Sequence, residues 1–224
     1  LIPLPPNSND CDAIFEPSQV LSLVPGQSQL LVNLETFGGG RKKIKFNNGD
    51  VYDGELKNDM RYGKGKMKFT NGTSYDGNWK NNLKHGEGKS IQFFKSGNKT
   101  SHYLKVEYYG WFQNDIKHGK GILTHPYGDG NESGRNIAGN QYEGYIENDI
   151  PHGKGKMILP NGDVYNGDFQ NGNFHGKGTY TYAKKAVYEG QLKNKLKHGI
   201  GKLTYPNGDV YEGDFYNDMR HGKG

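Results

Sequence analysis

The stretch YEGDFYNDMRHGKG, residues Tyr211 to Gly224, is the last of seven copies of one pattern. Earlier copies start at Tyr52, Tyr75, Tyr108, Tyr142, Tyr165 and Tyr188, on a basic period of 23 residues with two longer intervals. These seven tyrosines number the repeats one to seven. Gly stands two, eleven and thirteen residues after the Tyr in every copy, and Asn stands six after it. His stands ten after it in six copies, Tyr62 being the exception. A half-unit, Ile44-Lys-Phe46 followed by Asn48-Gly49, precedes the first Tyr. A fixed period of this length is the mark of a repeat architecture.

Each unit reads as two strands and two turns. Tyr-x-Gly-x-apolar alternates with period two, Asn-x-x-x-His-Gly supplies turn residues that tolerate positive φ, and a second alternating stretch ends at Asn-Gly. Hairpins in succession make a meander. The predicted fold is therefore all-β: an elongated, single-layer antiparallel sheet of seven hairpin repeats over residues 41–224, with a short acidic arm or cap at 1–40. At about 4.8 Å per strand the array should extend roughly 70 Å. Side chains two apart share a face, so Tyr75, Gly77 and Trp79 point one way. A tyrosine ring can then lie over a neighbouring Gly that has no Cβ, which lets a thin sheet bury aromatic surface.

Composition agrees with such a fold. The 224 residues include 35 Gly and 16 Tyr, with only 32% hydrophobic types. That is too apolar-poor for a thick aliphatic core and too aromatic for disorder. No run approaches the roughly 20 apolar residues of a membrane helix, and no signal-peptide order is present, so a soluble protein is expected. Cys11 is the single cysteine, which excludes an internal disulfide or a thiolate zinc site and fits a reducing compartment. Net charge is +5, but residues 1–40 carry Asp10, Asp12, Glu16 and Glu35 without Lys or Arg. Two insertions, about 92–105 and 125–141, interrupt the period; the first reads as a lengthened hairpin and the second as a polar loop. The half-unit ending at Gly224 leaves a sheet edge for a partner or for further chain to cover.

Three sets of side chains are candidate binding sites. The first is a stripe along the Tyr-bearing face: Tyr75, Trp79, Tyr108, Phe112, Tyr142, Ile146, Tyr165, Phe169, Tyr188, Leu192, Tyr211 and Phe215. These residues either satisfy one another across repeats or form a partner groove, and the two readings are compatible. The second is Tyr109, Trp111 and Tyr145, aromatic where other repeats carry charged or amide side chains; they are either a binding hot spot or covered by the insertions. The third is the lysines Lys64, Lys66, Lys154 and Lys156 on the face opposite the stripe. There acidic first strands alternate with basic second strands, which stabilises the sheet and cancels the field that nucleic acid would need.

No chemistry is expected. Six His, one per repeat, lie about 10 Å apart, too far to share a metal. Asp129-Gly-Asn131-Glu-Ser133 starts like a calcium loop, but Asn140 stands where the bidentate Glu belongs. His-Gly-Lys-Gly lacks the spacing of a phosphate loop. No catalytic residues and no cofactor are implied.

The seven in-register copies resemble the MORN-repeat (membrane occupation and recognition nexus) family over residues 41–224. The resemblance implies a twisted single sheet and a non-catalytic scaffold whose aromatic groove and repeat ends take segments of other proteins in a large assembly. It also implies a cytoplasmic, cytoskeletal setting, of which the ciliary axoneme and its radial spokes are favoured. The alternatives are a peripheral tether that binds acidic phospholipid through Lys64, Lys66, Lys154 and Lys156, or the regulatory fragment of a larger enzyme. Self-association is compatible with each.

Overall fold

The computed structural model describes residues 31–36, 41–95, 103–125 and 139–222. They form one 16-stranded antiparallel sheet in which every strand pairs with its neighbours in chain order. The strands are β1 (Leu31–Thr36), β2 (Arg41–Phe46), β3 (Val51–Lys57), β4 (Met60–Lys68), β5 (Ser74–Lys80), β6 (Leu83–Lys95), β7 (Tyr103–Gln113) and β8 (Ile116–His125). Then come β9 (Asn140–Glu147), β10 (Ile150–Ile158), β11 (Val164–Gln170), β12 (Asn173–Thr181), β13 (Val187–Lys193), β14 (Leu196–Thr204), β15 (Val210–Tyr216) and β16 (Met219–His221). The meander expected from the repeat is the fold. β6 and β7 extend past their counterparts and stay paired out to Lys95↔Tyr103, so the described part of the first insertion lengthens a hairpin. Residues 1–30, with the proposed first half of the cap, and the Asp129–Ser133 segment lie outside the described residues.

The tight turn of each repeat has two residues, beginning at the invariant Asn. Asn58 and Asp59 have φ of 51° and 56° between the paired ends Lys57 and Met60. Both residues need positive φ in a primed hairpin turn, and Asn and Asp are the non-Gly types that accept it most readily. His-Gly is not part of that turn, contrary to the sequence expectation. It lies inside the second strand, where Gly63 has φ +59° and the register with β3 slips between Gly54 and Leu56. This is a β-bulge built on a left-handed glycine.

The other two invariant glycines meet across the sheet, as Gly54↔Gly65 and Gly77↔Gly88 do. A Cβ on Gly65 would lie 2.7 Å from Tyr52 Cε2, so only Gly lets the ring fold back onto the sheet. The Tyr52 hydroxyl then donates to the Glu55 carbonyl at 2.8 Å, and Tyr75 does the same to Asn78.

Both margins of the sheet are tied between repeats. At the tight-turn margin, the N–H of the second turn residue donates to the strand that follows the preceding turn: Asp115 to Lys84, Asp149 to Lys117 and Gly172 to Pro151, each at 3.0 Å. At the other margin, buried Asp50 accepts from the Thr70 N–H and buried Asp163 from the Ala183 N–H.

Candidate functional site

On the inner face, Tyr52, Tyr75, Tyr108, Tyr142, Tyr165 and Tyr188 are 0–2% exposed, although the sheet is one layer thick. Each ring lies over its glycines and meets, edge to face, the aromatic residue four positions on in its own or the next repeat. Tyr75 contacts Trp79 and Phe112, both with ring centroids 5.0 Å apart, and Tyr108 contacts the same Phe112 at 5.0 Å. Tyr142 and Tyr165 share Phe169, and Tyr188 and Tyr211 share Phe215. Ile146 and Leu192 fill the equivalent places in repeats four and six and are also buried. Edge-to-face pairs add about 0.5–1.5 kcal/mol each to the area they bury.

The stripe is therefore a core. Of the two readings of the stripe, the rings satisfy one another across repeats, Trp79 and Phe112 included, with half-buried Tyr211 at the end of the row. A partner could touch these atoms only by opening the sheet. Truncating Trp79 and Phe112 would empty the core, and so could not separate binding from folding. Burial pushes the tyrosine hydroxyls up, to about 12 in Tyr52 and Tyr188 and further in Tyr75, Tyr108, Tyr142 and Tyr165.

A row of cations closes the margin of this core and was missed in the sequence. Arg61 stacks on Trp79, its Cζ 4.4 Å from the ring centre, and Lys84 Nζ lies 5.5 Å from Tyr75 and 5.8 Å from Phe112. Lys117, 8% exposed, lies over Tyr108 and holds Asp149 at 3.2 Å. Lys197 holds Asp218 at 3.0 Å and donates to the Tyr182 hydroxyl oxygen at 3.0 Å. Burial pulls Lys84 down. In Lys197 burial acts the same way, but Tyr182 and Asp218 outweigh it and the net direction is up. The same carboxylates accept the backbone N–H of Lys84, Lys117 and Lys197 at 2.8–3.0 Å. The signal was available: Lys or Arg nine after the Tyr, and Asp seven after the Tyr of the next repeat.

The outer face carries the charge ladder. Lys66 reaches Asp76 at 3.1 Å and Lys154 reaches Asp168 at 2.6 Å. Lys64 and Lys156 are exposed on the same face. Of the four lysines proposed for lipid, two therefore spend their charge on neighbouring carboxylates. The six histidines stand apart, one per repeat, and no group of three potential metal ligands gathers among the described residues.

At repeats three and four the ladder gives way. Tyr109 and Trp111 on β7 and Tyr145 on β9 are 57%, 51% and 37% exposed. Exposed Ile122 of β8 stands directly across from Tyr109. The Tyr145 ring sits edge-on to His118, with its hydroxyl 3.2 Å from His118 Nε2. A concavity of about 240 Å³ opens beside Trp111, lined by His85, Phe112, Gln113, His118 and Gly119. Lys89 and Lys105 converge on Glu107 at the near border of the patch. Of the three sets read from the sequence, this one is both aromatic and exposed. Glu87, the cross-strand partner of Trp111, borders the set, and Lys120 of β8, the cross-strand partner of Tyr145, stands between the strands that carry Trp111 and Tyr145.

A MORN-repeat sequence profile matches residues 52–74, 75–91, 108–130, 142–164, 165–187, 188–210 and 211–224. No curated protein matches. Two similar solved structures are TCP domains. One is SAS-4 (dCPAP) of Drosophila melanogaster in complex with a proline-rich motif of Ana2 (dSTIL), at 18% identity over 80% of this chain and 88% of that one, TM-score 0.43. The other is CPAP of Danio rerio in complex with a STIL peptide, at 12% identity over 81% of this chain and 83% of that one, TM-score 0.32.

Proposed function

We propose that this chain, which belongs to the MORN-repeat family, is a non-catalytic scaffold that holds an extended segment of a protein partner on the outer patch of repeats three and four. MORN repeats serve protein interaction or membrane binding, so the family leaves two classes to choose between. The observation that carries the choice is the exposure of Tyr109, Trp111 and Tyr145 at positions where the other repeats place Asp, Glu, Asn or Gln. Tyr and Trp are the residues most enriched among binding hot spots, because each offers a large rigid surface at low entropic cost. The membrane reading is weakened by the ion pairs of Lys66 and Lys154, which spend on neighbouring carboxylates two of the four lysine charges it relies on. For the setting, the family resemblance supports a cytoskeletal assembly, and the ciliary axoneme, radial spokes included, is the first to test.

The test is recovery of axonemal proteins from ciliated-cell lysate at low and high salt by the wild type and by Tyr109→Ser/Trp111→Ser. Circular dichroism checks that both are folded, and flotation on acidic liposomes runs in parallel. Salt-resistant recovery that disappears in the double variant is the expected result. Unchanged recovery by that variant would overturn the reading. So would salt-sensitive flotation without a protein partner, which would move the site to Lys64, Lys66, Lys154 and Lys156.

A further inference from the structure

Resting on that reading of the patch as a docking surface, we infer that residues 1–6 of this same chain, Leu-Ile-Pro-Leu-Pro-Pro, are its occupant when no partner is bound. Three observations lead there. The first is chemical. Proline-rich segments are recognised by exposed Tyr and Trp side chains that stack on the pyrrolidine rings, and they lose little entropy because their extended helix is preformed. Pro3, Pro5 and Pro6 supply such a segment. Tyr109, Trp111 and Tyr145 supply the aromatic platform, with the concavity beside Trp111 to receive one aliphatic side chain.

The second observation is reach. β1 and β7 are six strands apart in the sheet, about 29 Å at 4.8 Å per strand. Residues 7–30 join the proline-rich segment to β1. A chain of 24 residues spans about 27 Å as a coil and about 80 Å extended, so the patch lies within its range. A tether whose length matches the span gives the highest effective concentration, on the order of millimolar. A weak contact is then enough to keep the patch covered.

The third observation is charge. On the way to the patch the connecting residues carry Asp10, Asp12 and Glu16 and no basic group. The outer face they would cross presents seven Lys and Arg of β2, β4 and β6, from Arg41 to Lys89, against four carboxylates, Asp53, Glu55, Asp76 and Glu87. The excess is basic where the tether is acidic. Self-occupancy of this kind makes a partner compete with the chain's own segment, which raises the apparent Kd of loose encounters and sharpens selection.

The experiment uses the single cysteine. A nitroxide attached to Cys11 in the full chain sits five residues from Pro6, and it quenches the emission of a tryptophan that it approaches. Of the two tryptophans, Trp79 is buried in the inner face and Trp111 is exposed in the patch. The expected result is quenching that is unchanged on dilution, lost in Trp111→Phe and lost in Pro3→Ala/Pro5→Ala/Pro6→Ala. The triple proline variant should also recover more partner than the wild type. Absent quenching, or quenching that survives the proline substitutions, would overturn the inference. Quenching that falls on dilution would do so too, because the occupant would then be the segment of a second copy. The two proposals fail separately. Quenching present with partner recovery indifferent to Trp111 would remove the scaffold reading alone. Patch-dependent recovery without quenching would remove this inference alone.

Discussion

At the junction of repeats three and four, Lys117 and Asp149 meet at the margin of the closed face, 32 residues apart in sequence. At the junction of repeats four and five, the same two positions hold Pro151 and Gly172. The first pair makes an ion pair at 3.2 Å and a backbone N–H to carboxylate bond at 3.0 Å. The second makes neither, because Pro has no N–H to donate and Gly has no carboxylate to accept. Donor and acceptor vanish together. The backbone tie that needs no side chain survives at both, Asp149 N–H to Lys117 C=O and Gly172 N–H to Pro151 C=O, each at 3.0 Å. One junction further, Phe174 replaces the cation and stacks on Tyr165 with centroids 4.2 Å apart, where Lys117 lies over Tyr108. The sheet accepts a charged margin or an apolar one. What it requires is an acceptor for every buried donor, because a buried N–H or cation without its partner costs more than the pair contributes. At Arg61, where Asn82 stands in place of the Asp, the Asn82 Oδ1 accepts the Arg61 N–H at 2.8 Å and the Asn82 carbonyl accepts the guanidinium at 3.0 Å.

The comparison can be broken most severely at Asp149. Asp149→Ala leaves the Lys117 ammonium and its N–H buried without an acceptor, and should cost about 3–5 kcal/mol, read as a drop in the urea midpoint. Asp149→Asn keeps an oxygen for the N–H and should lose distinctly less. A loss below about 1 kcal/mol in the Ala variant, the range of an exposed pair, would show that the margin is wetter than described.

The reciprocal change tests the apolar junction. Pro151→Lys places an ammonium beside Gly172 with nothing to pair it, and should destabilise by roughly 2–4 kcal/mol. Gly172→Asp should rescue it in the double variant by about 1–3 kcal/mol. Asp already occupies the same left-handed position at Asp115, Asp149 and Asp218, with φ of 67–71°. Additive effects in this cycle would mean that the two positions do not meet.

A smaller effect distinguishes the junctions by pH. Burial, helped by the charge of Lys117, pushes His125 down to about 4, whereas Leu159 stands at the equivalent place in repeat four. Below the ordinary histidine value of 6.5 the unfolded chain takes up this proton before the folded chain does. His125 therefore costs stability as pH falls from about 6.5 to about 4, and the cost levels off below that. His125→Gln should flatten the dependence of the urea midpoint in this window by roughly 1–3 kcal/mol. An unchanged slope would place His125 in water.

The patch and the core differ in how far sequence could reveal them. Tyr109, Trp111 and Tyr145 could be named from sequence because they stand where the other repeats place Asp, Glu, Asn or Gln. Their exposure could not, since the insertions were equally able to cover them. The stripe from Tyr75 to Phe215 is legible as one face, but whether its rings seal one another or leave a groove is not, because side-chain period gives the face and not the degree of closure. The cation margin was written in plain spacing and still escaped notice. Its partners lie in successive repeats, and the relation becomes visible once Pro151 and Gly172 are seen to fail together.

Sequence by itself determined what depends on a residue and its near neighbours. The strands, the turns that open at Asn and the glycines that admit a tyrosine ring follow from local sterics repeated seven times, whereas the bulge at Gly63 stands where the sequence pattern suggested a turn. Tertiary structure alone decided which face is sealed and which is open. Tyr52, Tyr75, Tyr142 and Tyr188 are each covered by a ring from the next repeat, and burial is a property of how successive hairpins lean on one another. The same leaning brings Lys117 to Asp149 and leaves Trp111 in solvent. No window of one repeat contains that information, because the contacts that carry it lie between repeats.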